Sequence, residues 1–135
     1  MREQERVVAL TGIARGTHTT VMPLSQRRAR EPEVIDPLLA RLGELSRLGR
    51  RDLEKGDISG LGASFDEAHA ILGELGVSCV ELDEKVSALR AAGALGAKLT
   101  GAGGGGAAIG LARDEAQAVA IAAKTGGFAV RIGPR

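Results

Sequence analysis

The chain reads Lys98-Leu99-Thr100-Gly101-Ala102-Gly103-Gly104-Gly105-Gly106 over residues 98–106, and five of the six residues at 101–106 are glycine. Glycine weakens helices and strands, but it allows positive φ and close backbone approach, so this run predicts a loop. Alternating residues precede the run, and Ala107-Ala108-Ile109-Gly110-Leu111 follows it. The pattern therefore predicts a strand, a glycine turn and a second strand.

The spacing alone allows two interpretations of the glycine run. It is either a tight hairpin turn or a loop whose N–H groups face an anionic ligand. A Walker A loop would end in Gly-Lys-Ser or Gly-Lys-Thr, whereas Lys98 precedes the glycines here. A dinucleotide-binding fingerprint would open a helix, whereas a strand follows here.

The string from Lys98 to Gly106 closely resembles the third conserved motif of the GHMP kinases, which include galactokinase, homoserine kinase, mevalonate kinase and phosphomevalonate kinase. Within this family it is most similar to the mevalonate kinases. Three further stretches resemble the same proteins: Thr11–Thr17, Leu75–Ser78 followed by Leu82-Asp83, and Gly93–Ala97. The resemblance covers nearly the whole chain.

Local signals predict the helices and strands. They predict a first strand at Val7–Leu10 and a last strand with Phe128, Val130 and Ile132 on one face. Between these strands they predict helices from Thr17 to about Arg30, from Asp36-Pro37 to near Gly49, over Leu61–Leu75, and from Asp114 to about Lys124. A further helix is predicted to open at a Ser78–Glu81 capping box and to end at Gly93. Strands and helices do not alternate regularly, which predicts an α+β fold in one domain, residues 1–135. A ferredoxin-like, four-stranded, mainly antiparallel sheet with helices on one face fits this order, and the resemblance implies the same fold.

Composition excludes several classes of protein. The net charge of +1 and the aromatic content of 1% argue against a nucleic-acid-binding protein. No apolar run approaches the roughly 18 residues of a membrane span, and no signal peptide is recognisable.

The single cysteine, Cys79, excludes an internal disulfide and is expected to be structural in a reducing compartment, so we expect a cytoplasmic protein. Two isolated histidines and one cysteine predict no metal site.

The resemblance implies ATP-dependent phosphorylation of a small, mevalonate-like substrate with Mg²⁺. In GHMP kinases most of the catalytic groups, and the Pro-x-x-x-Gly-Leu-Gly-Ser-Ser phosphate loop, belong to the N-terminal domain. The only similar stretch here, Ser59–Ser64, lacks the proline and the preceding strand, so we reject it as a phosphate loop. We therefore expect the C-terminal part of a kinase whose N-terminal ATP-binding domain is absent, with no catalytic residue of its own and no activity alone.

The resemblance also implies roles for particular residues. Thr100, Gly101, Ala102, Gly103, Gly104, Gly105 and Gly106 would lie beside the ATP-phosphate loop. Arg15 and Thr17 occupy positions that resemble the substrate side of the mevalonate kinases, where a guanidinium and a hydroxyl would suit a carboxylate and an alcohol. Alternatively, Thr17 caps a helix and Arg15 is solvated. His69 either approaches the substrate cleft or lies on a helix surface.

The pattern leaves open the role of Lys98, the substrate and the mode of association. Lys98 either approaches a phosphate or is a solvated edge residue. The substrate could be that of a homoserine kinase or a phosphomevalonate kinase, and the chain could instead be a stand-alone ferredoxin-like binding module. Exposed apolar surface is expected where a missing domain would pack, which would favour a homodimer.

Overall fold

The computed structural model describes the backbone of residues 4–10, 17–100 and 107–132 and the side chains of residues 24–100 and 107–130. Within these ranges the chain forms strands and helices in an α+β order, as predicted. The elements are β1 (Gln4–Leu10), α1 (Thr17–Arg30), α2 (Pro32–Lys55), α3 (Ile58–Glu74), α4 (Val80–Ala91), β2 (Gly96–Thr100), β3 (Ala107–Ala112), α5 (Glu115–Thr125) and β4 (Phe128–Ile132).

The strands form one sheet in the order β2-β3-β1-β4, and each neighbouring pair is antiparallel. Thr100 at the end of β2 pairs with Ala107 at the start of β3. The two strands that flank the glycine run are therefore hairpin partners, as the strand, turn, strand pattern predicts. The run itself, residues 101–106, lies outside the described residues.

One face of the sheet carries the main core. Ala97 and Leu99 of β2 are buried there against α4 and α5, which both pack on this face. The rest of this core is made of Leu82, Val86, Leu89, Ala108, Ala112, Ala118 and Ile121. A core of small and branched aliphatic side chains is what a chain with two phenylalanines and no tyrosine or tryptophan can build.

The opposite face is partly open. Lys98 pairs with Ile109, Ile109 pairs with Val8, and Val8 pairs with Phe128, so these four positions lie in one row across this face. Phe128 is 53% exposed and Val130 is 38% exposed. This agrees with the expectation of exposed apolar surface.

Helices α2 and α3 pack together beside β2 around a second apolar cluster. Its buried members are Ile35, Leu45, Ala68, Ile71 and Leu75. On the surface, Arg41 of α2 binds the carboxylate of Glu67 of α3, with Nη2 2.9 Å from Oε1. This guanidinium holds the pKa of the Glu67 carboxyl below its usual range.

Two glycines bring α3 into direct backbone contact with β2. A Cβ atom on Gly62 would lie 2.4 Å from the carbonyl oxygen of Leu95, and one on Gly96 would lie 2.0 Å from the carbonyl oxygen of Gly62. Neither separation can be relieved by moving a side chain, because the opposing atoms belong to the backbone. The Ser59–Ser64 stretch is thus part of a packed helix, which confirms its rejection as a phosphate loop.

This contact places side chains of α3 along the free edge of β2. Asp66 Oδ1 accepts a hydrogen bond from the N–H of Ala97 at 3.0 Å, and His69 Nδ1 accepts one from the N–H of Leu99 at 3.1 Å. Arg90 of α4 donates to the carbonyl of Ala97 at 3.0 Å and to Asp66 at 2.8 Å. Side chains thereby satisfy the groups that an edge strand would otherwise expose.

The bounds of α2 differ from the predicted ones at both ends. The helix begins at Pro32, so Pro37 lies inside it, and Ile35, two residues before Pro37, is fully buried. It runs past Gly49 to Lys55 and ends at Gly56, which has a φ of 76°. Gly49 serves close packing instead, because a Cβ there would lie 3.1 Å from Leu61 Cδ1.

The N-cap of α4 also differs from the predicted Ser78. The N-cap of α4 is Cys79, whose side chain makes no capping hydrogen bond. Ser78 instead donates its hydroxyl proton to Asp83 Oδ1 at 2.7 Å. In contrast, Asp114 does cap α5 as predicted, by accepting from the N–H of Gln117 at 2.8 Å.

We expect Gly62→Ala to lower the free energy of unfolding by about 2 kcal/mol or more, because the new methyl group would overlap the Leu95 carbonyl. Gly73→Ala is the matched control in the same helix, since a Cβ there meets nothing within 4 Å. The control should be neutral or more stable by up to about 1 kcal/mol. Urea unfolding followed by circular dichroism at 222 nm measures both. Equal stability of the two variants would contradict the close contact.

We expect His69→Phe to speed hydrogen exchange of the Leu99 amide about tenfold or more, because its acceptor is lost. The Lys98 amide is the internal control, since alternation in an antiparallel ladder directs it towards β3. Ser78→Ala is the control variant and should leave Leu99 within about threefold of the parent. Equal acceleration of Leu99 and Lys98 in His69→Phe would show a global loss of stability and contradict an edge contact.

Candidate functional site

A cleft opens between α2, α3 and the end of β2. Its volume is about 510 Å³, which lies within the range of small-molecule sites. Most of its wall is apolar, formed by leucines from α2 and α3 together with Phe65, Ala68, Val77 and Leu99. Its polar groups are the hydroxyls of Ser46 and Ser64 and the ammonium of Lys98.

Lys98 is half-buried in this cleft rather than solvated, so the interpretation as a solvated edge residue is wrong. Its Nζ lies 5.7 Å from the ring centroid of Phe65, within the range of a cation–π contact. Burial lowers the pKa of the Lys98 ammonium below its usual range. The cleft therefore holds a positive charge in a largely apolar wall.

The cleft adjoins the glycine run. Thr100 follows Lys98 by two residues in β2, so both side chains lie on the same face of the sheet. Thr100 is exposed and is the last residue before the run. Of the residues predicted to lie near a phosphate, Thr100 is described here, whereas Gly101 to Gly106 lie outside the described residues.

His69 is buried, so the alternative of a helix-surface histidine is wrong; it is 7% exposed. Its Nδ1 accepts from the Leu99 N–H, so Nε2 carries the ring proton and donates it to Asp83 Oδ1 at 2.9 Å. Both ring nitrogens are thus engaged in holding β2 and the start of α4 against α3. The role visible in the structure is to position the strand that leads into the glycine run.

The group of Ser78, His69 and Asp83 does not have the geometry of a hydrolase triad. In such a triad the histidine lies between the serine and the carboxylate. Here Asp83 Oδ1 lies in the middle and accepts from both Ser78 and His69. The arrangement can orient three elements, but it cannot activate the Ser78 hydroxyl through His69.

Arg15 and Thr17 are the two other residues predicted to lie on the substrate side. Arg15 lies outside the described residues, and Thr17 begins α1 with its side chain outside the described set. Sequence reasoning missed Asp66, which together with His69 forms an i, i+3 pair of hydrogen-bonding side chains on one helix face. The i, i+3 spacing indicates that the two side chains lie on one helix face, but it does not indicate which strand they contact.

The described residues contain no group of three or more His, Cys, Asp or Glu side chains that could hold a metal ion. We therefore assign no Mg²⁺ ligand in this part of the chain. Cys79 is an unpaired, half-buried thiol at the start of α4. Among the described residues, no helix is long and apolar enough to cross a membrane.

Curated relatives of known activity match most of this chain. A mevalonate kinase of Thermococcus gammatolerans is 40% identical over 121 residues, which is 86% of this chain and 36% of that protein. A mevalonate kinase of Pyrococcus horikoshii is 38% identical over 126 residues, which is 90% of this chain and 38% of that protein. The chain thus spans little more than a third of the length of the relatives it matches.

A solved structure shows the same fold. The crystal structure of L. major mevalonate kinase in complex with R-mevalonate superimposes with a TM-score of 0.93 at 31% identity, covering 99% of this chain and 44% of that one. The family model described as GHMP kinases C terminal matches residues 50–126, more than half of the chain. The resemblance first suggested by the glycine motif is confirmed, and the chain belongs to the GHMP kinase family through its C-terminal domain.

Proposed function

We propose that this chain is the C-terminal domain, residues 1–135, of an ATP-dependent kinase that phosphorylates mevalonate. The observation that carries the proposal is the similarity to mevalonate kinases over at least 86% of the chain, glycine motif included. The chain spans 36% of the first of these relatives. The ATP site and the catalytic groups of a complete enzyme would therefore belong largely to a further part of the protein.

In this proposal the glycine run lies near the transferred phosphoryl group. The paired strands β2 and β3 fix both ends of the run, Thr100 and Ala107. Glycine N–H groups can approach phosphate oxygens without steric conflict and act as preorganised donors where negative charge develops. The contribution of this chain to phosphoryl transfer is then the positioning of donors, since the transfer depends mainly on positioning and electrostatics.

Arg15 and Thr17 would bind the hydroxy acid substrate. A guanidinium forms paired, charge-assisted hydrogen bonds with a carboxylate, and a threonine hydroxyl can exchange a hydrogen bond with an alcohol. His69 would act one step away, by holding Leu99 and therefore the strand that enters the glycine run. ATP and Mg²⁺ would be bound largely by the N-terminal domain of a complete enzyme, and no Mg²⁺ ligand is assigned among the described residues.

The sheet type, the exposed strand and the cellular role fit the same proposal. The strand order β2-β3-β1-β4 supports a sheet of the ferredoxin-like type. The exposed side chains of β4 suit packing against the rest of a longer enzyme, and a homodimer is the alternative use of the same surface. A cytoplasmic, isoprenoid-forming role follows from the proposed activity.

A stand-alone binding module is the second candidate function. The observation in its favour is the largely apolar cleft around Lys98, which has the volume of a small-molecule site. Within the kinases, a homoserine kinase or a phosphomevalonate kinase would share the glycine motif. The comparison of substrates described next distinguishes these enzymes from a mevalonate kinase.

We expect the chain alone to release no ADP above background, because it spans only 36% of the T. gammatolerans enzyme and has no recognisable ATP-phosphate loop. A chimera in which this chain replaces the matched segment of the T. gammatolerans mevalonate kinase should phosphorylate mevalonate in a coupled ADP assay. Mevalonate, phosphomevalonate and homoserine are compared at equal concentration.

Two variants control the chimera. Gly104→Val should lower kcat by about 100-fold or more, because a β-branched side chain blocks close approach of the backbone to phosphate. Gly73→Ala, on the exposed surface of α3, should leave kcat unchanged. A folded chimera that is inactive with all three substrates would favour the binding-module alternative.

In the same chimera we expect Arg15→Ala to raise the KM for mevalonate about tenfold or more, with the KM for ATP unchanged, because a carboxylate contact is lost. Arg113→Ala is the control, since its side chain is 71% exposed beside Asp114 at the start of α5. An unchanged KM for mevalonate in Arg15→Ala would remove Arg15 from the substrate site.

A further inference from the structure

The Lys98 cleft has a composition that the proposed kinase reaction does not use. Its walls are the apolar sides of α2 and α3, and Leu42, Leu61 and Leu72 face the open volume of about 510 Å³. Clefts of this size with few polar groups are typical of sites for small organic molecules. In such sites the polar groups set the orientation of the ligand.

Among the described residues that line the cleft, Lys98 carries the charge, which is positive. None of the ion pairs formed among the described residues includes Lys98. Its contact is with the face of Phe65, which is a weak partner for an ammonium compared with an anion. The cleft also holds the hydroxyls of Ser46 and Ser64. A half-buried ammonium and hydroxyl groups lining one cleft can bind a carboxylate or a phosphate.

We propose that this cleft binds a small aliphatic anion, with its hydrocarbon body between α2 and α3 and its anionic group at Lys98. The apolar wall would remove the hydrocarbon from water, which favours binding in proportion to the area covered. The anion would neutralise the ammonium that the apolar wall leaves poorly solvated. This proposal does not rest on the proposed kinase function.

The test is a titration of the full chain with octanoate, octyl phosphate and octanol, followed by ¹⁵N amide shifts and by isothermal titration calorimetry. Octanoate or octyl phosphate should bind saturably, with shifts at Leu72, Val77 and Leu99. Octanol has the same hydrocarbon body and no charge, so it should bind at least about tenfold more weakly. The tighter of the two anions identifies a carboxylate or a phosphate as the preferred head group.

Three variants make the test specific. Lys98→Met keeps the length and apolar stem of the side chain and should weaken binding of the anion about tenfold or more. Lys124→Met removes a charge from the exposed end of α5 and should leave binding unchanged. Ser46→Phe places a ring at the mouth of the cleft, from an exposed position, and should abolish binding even if Lys98→Met does not fold.

Three outcomes would overturn the proposal. They are the absence of saturable binding of either anion, equal affinity for octanol and octanoate, and undiminished binding in Lys98→Met or in Ser46→Phe. Activity of the kinase chimera has no bearing on these results, so a failure of this proposal is distinguishable from a failure of the proposed function.

Discussion

The direct contact between the backbones of Gly62 and Gly96 determines how α3 meets the sheet, and the geometry of the site follows from it. It lets α3 lie against the edge of β2 at a distance that no side chain would allow. At that distance Asp66 and His69 reach the outward N–H groups of Ala97 and Leu99. The edge strand is thereby fixed on both sides, by β3 within the sheet and by α3 outside it, up to the residue before the glycine run.

The sequence predicts the features that depend on neighbouring residues. The bounds of α1 and α5, the cap at Asp114 and the paired strands around the glycines follow from local signals, and the structure agrees with them. The errors arise where tertiary contacts decide. Gly49 has the local pattern of a helix end but serves helix packing, and Ser78 has the pattern of a cap but its hydroxyl binds Asp83. The role of His69 is hidden from local patterns, because the strand that it contacts lies 30 positions further along the chain.

The same packing connects the two regions to which functions are proposed above. Lys98 faces the cleft, Leu99 is fixed by His69 and buried in the core, and Thr100 leads into the glycine run. Three consecutive residues of β2 thus belong to the proposed ligand site, to the buried core and to the proposed phosphate-side loop. A loop that must present backbone donors needs such rigid flanks, because preorganised donors are what stabilises developing charge.

The proposed function depends above all on contact between the glycine run and nucleotide phosphate in a complete kinase. Hydrogen exchange of the amides of residues 101–106 in the mevalonate kinase chimera, with and without a non-hydrolysable ATP analogue, detects this contact. We expect these amides to exchange more slowly when the analogue is bound, whereas the amides of the exposed face of α5 do not change. Unchanged exchange at residues 101–106, in a chimera shown by calorimetry to bind the analogue, would contradict the contact.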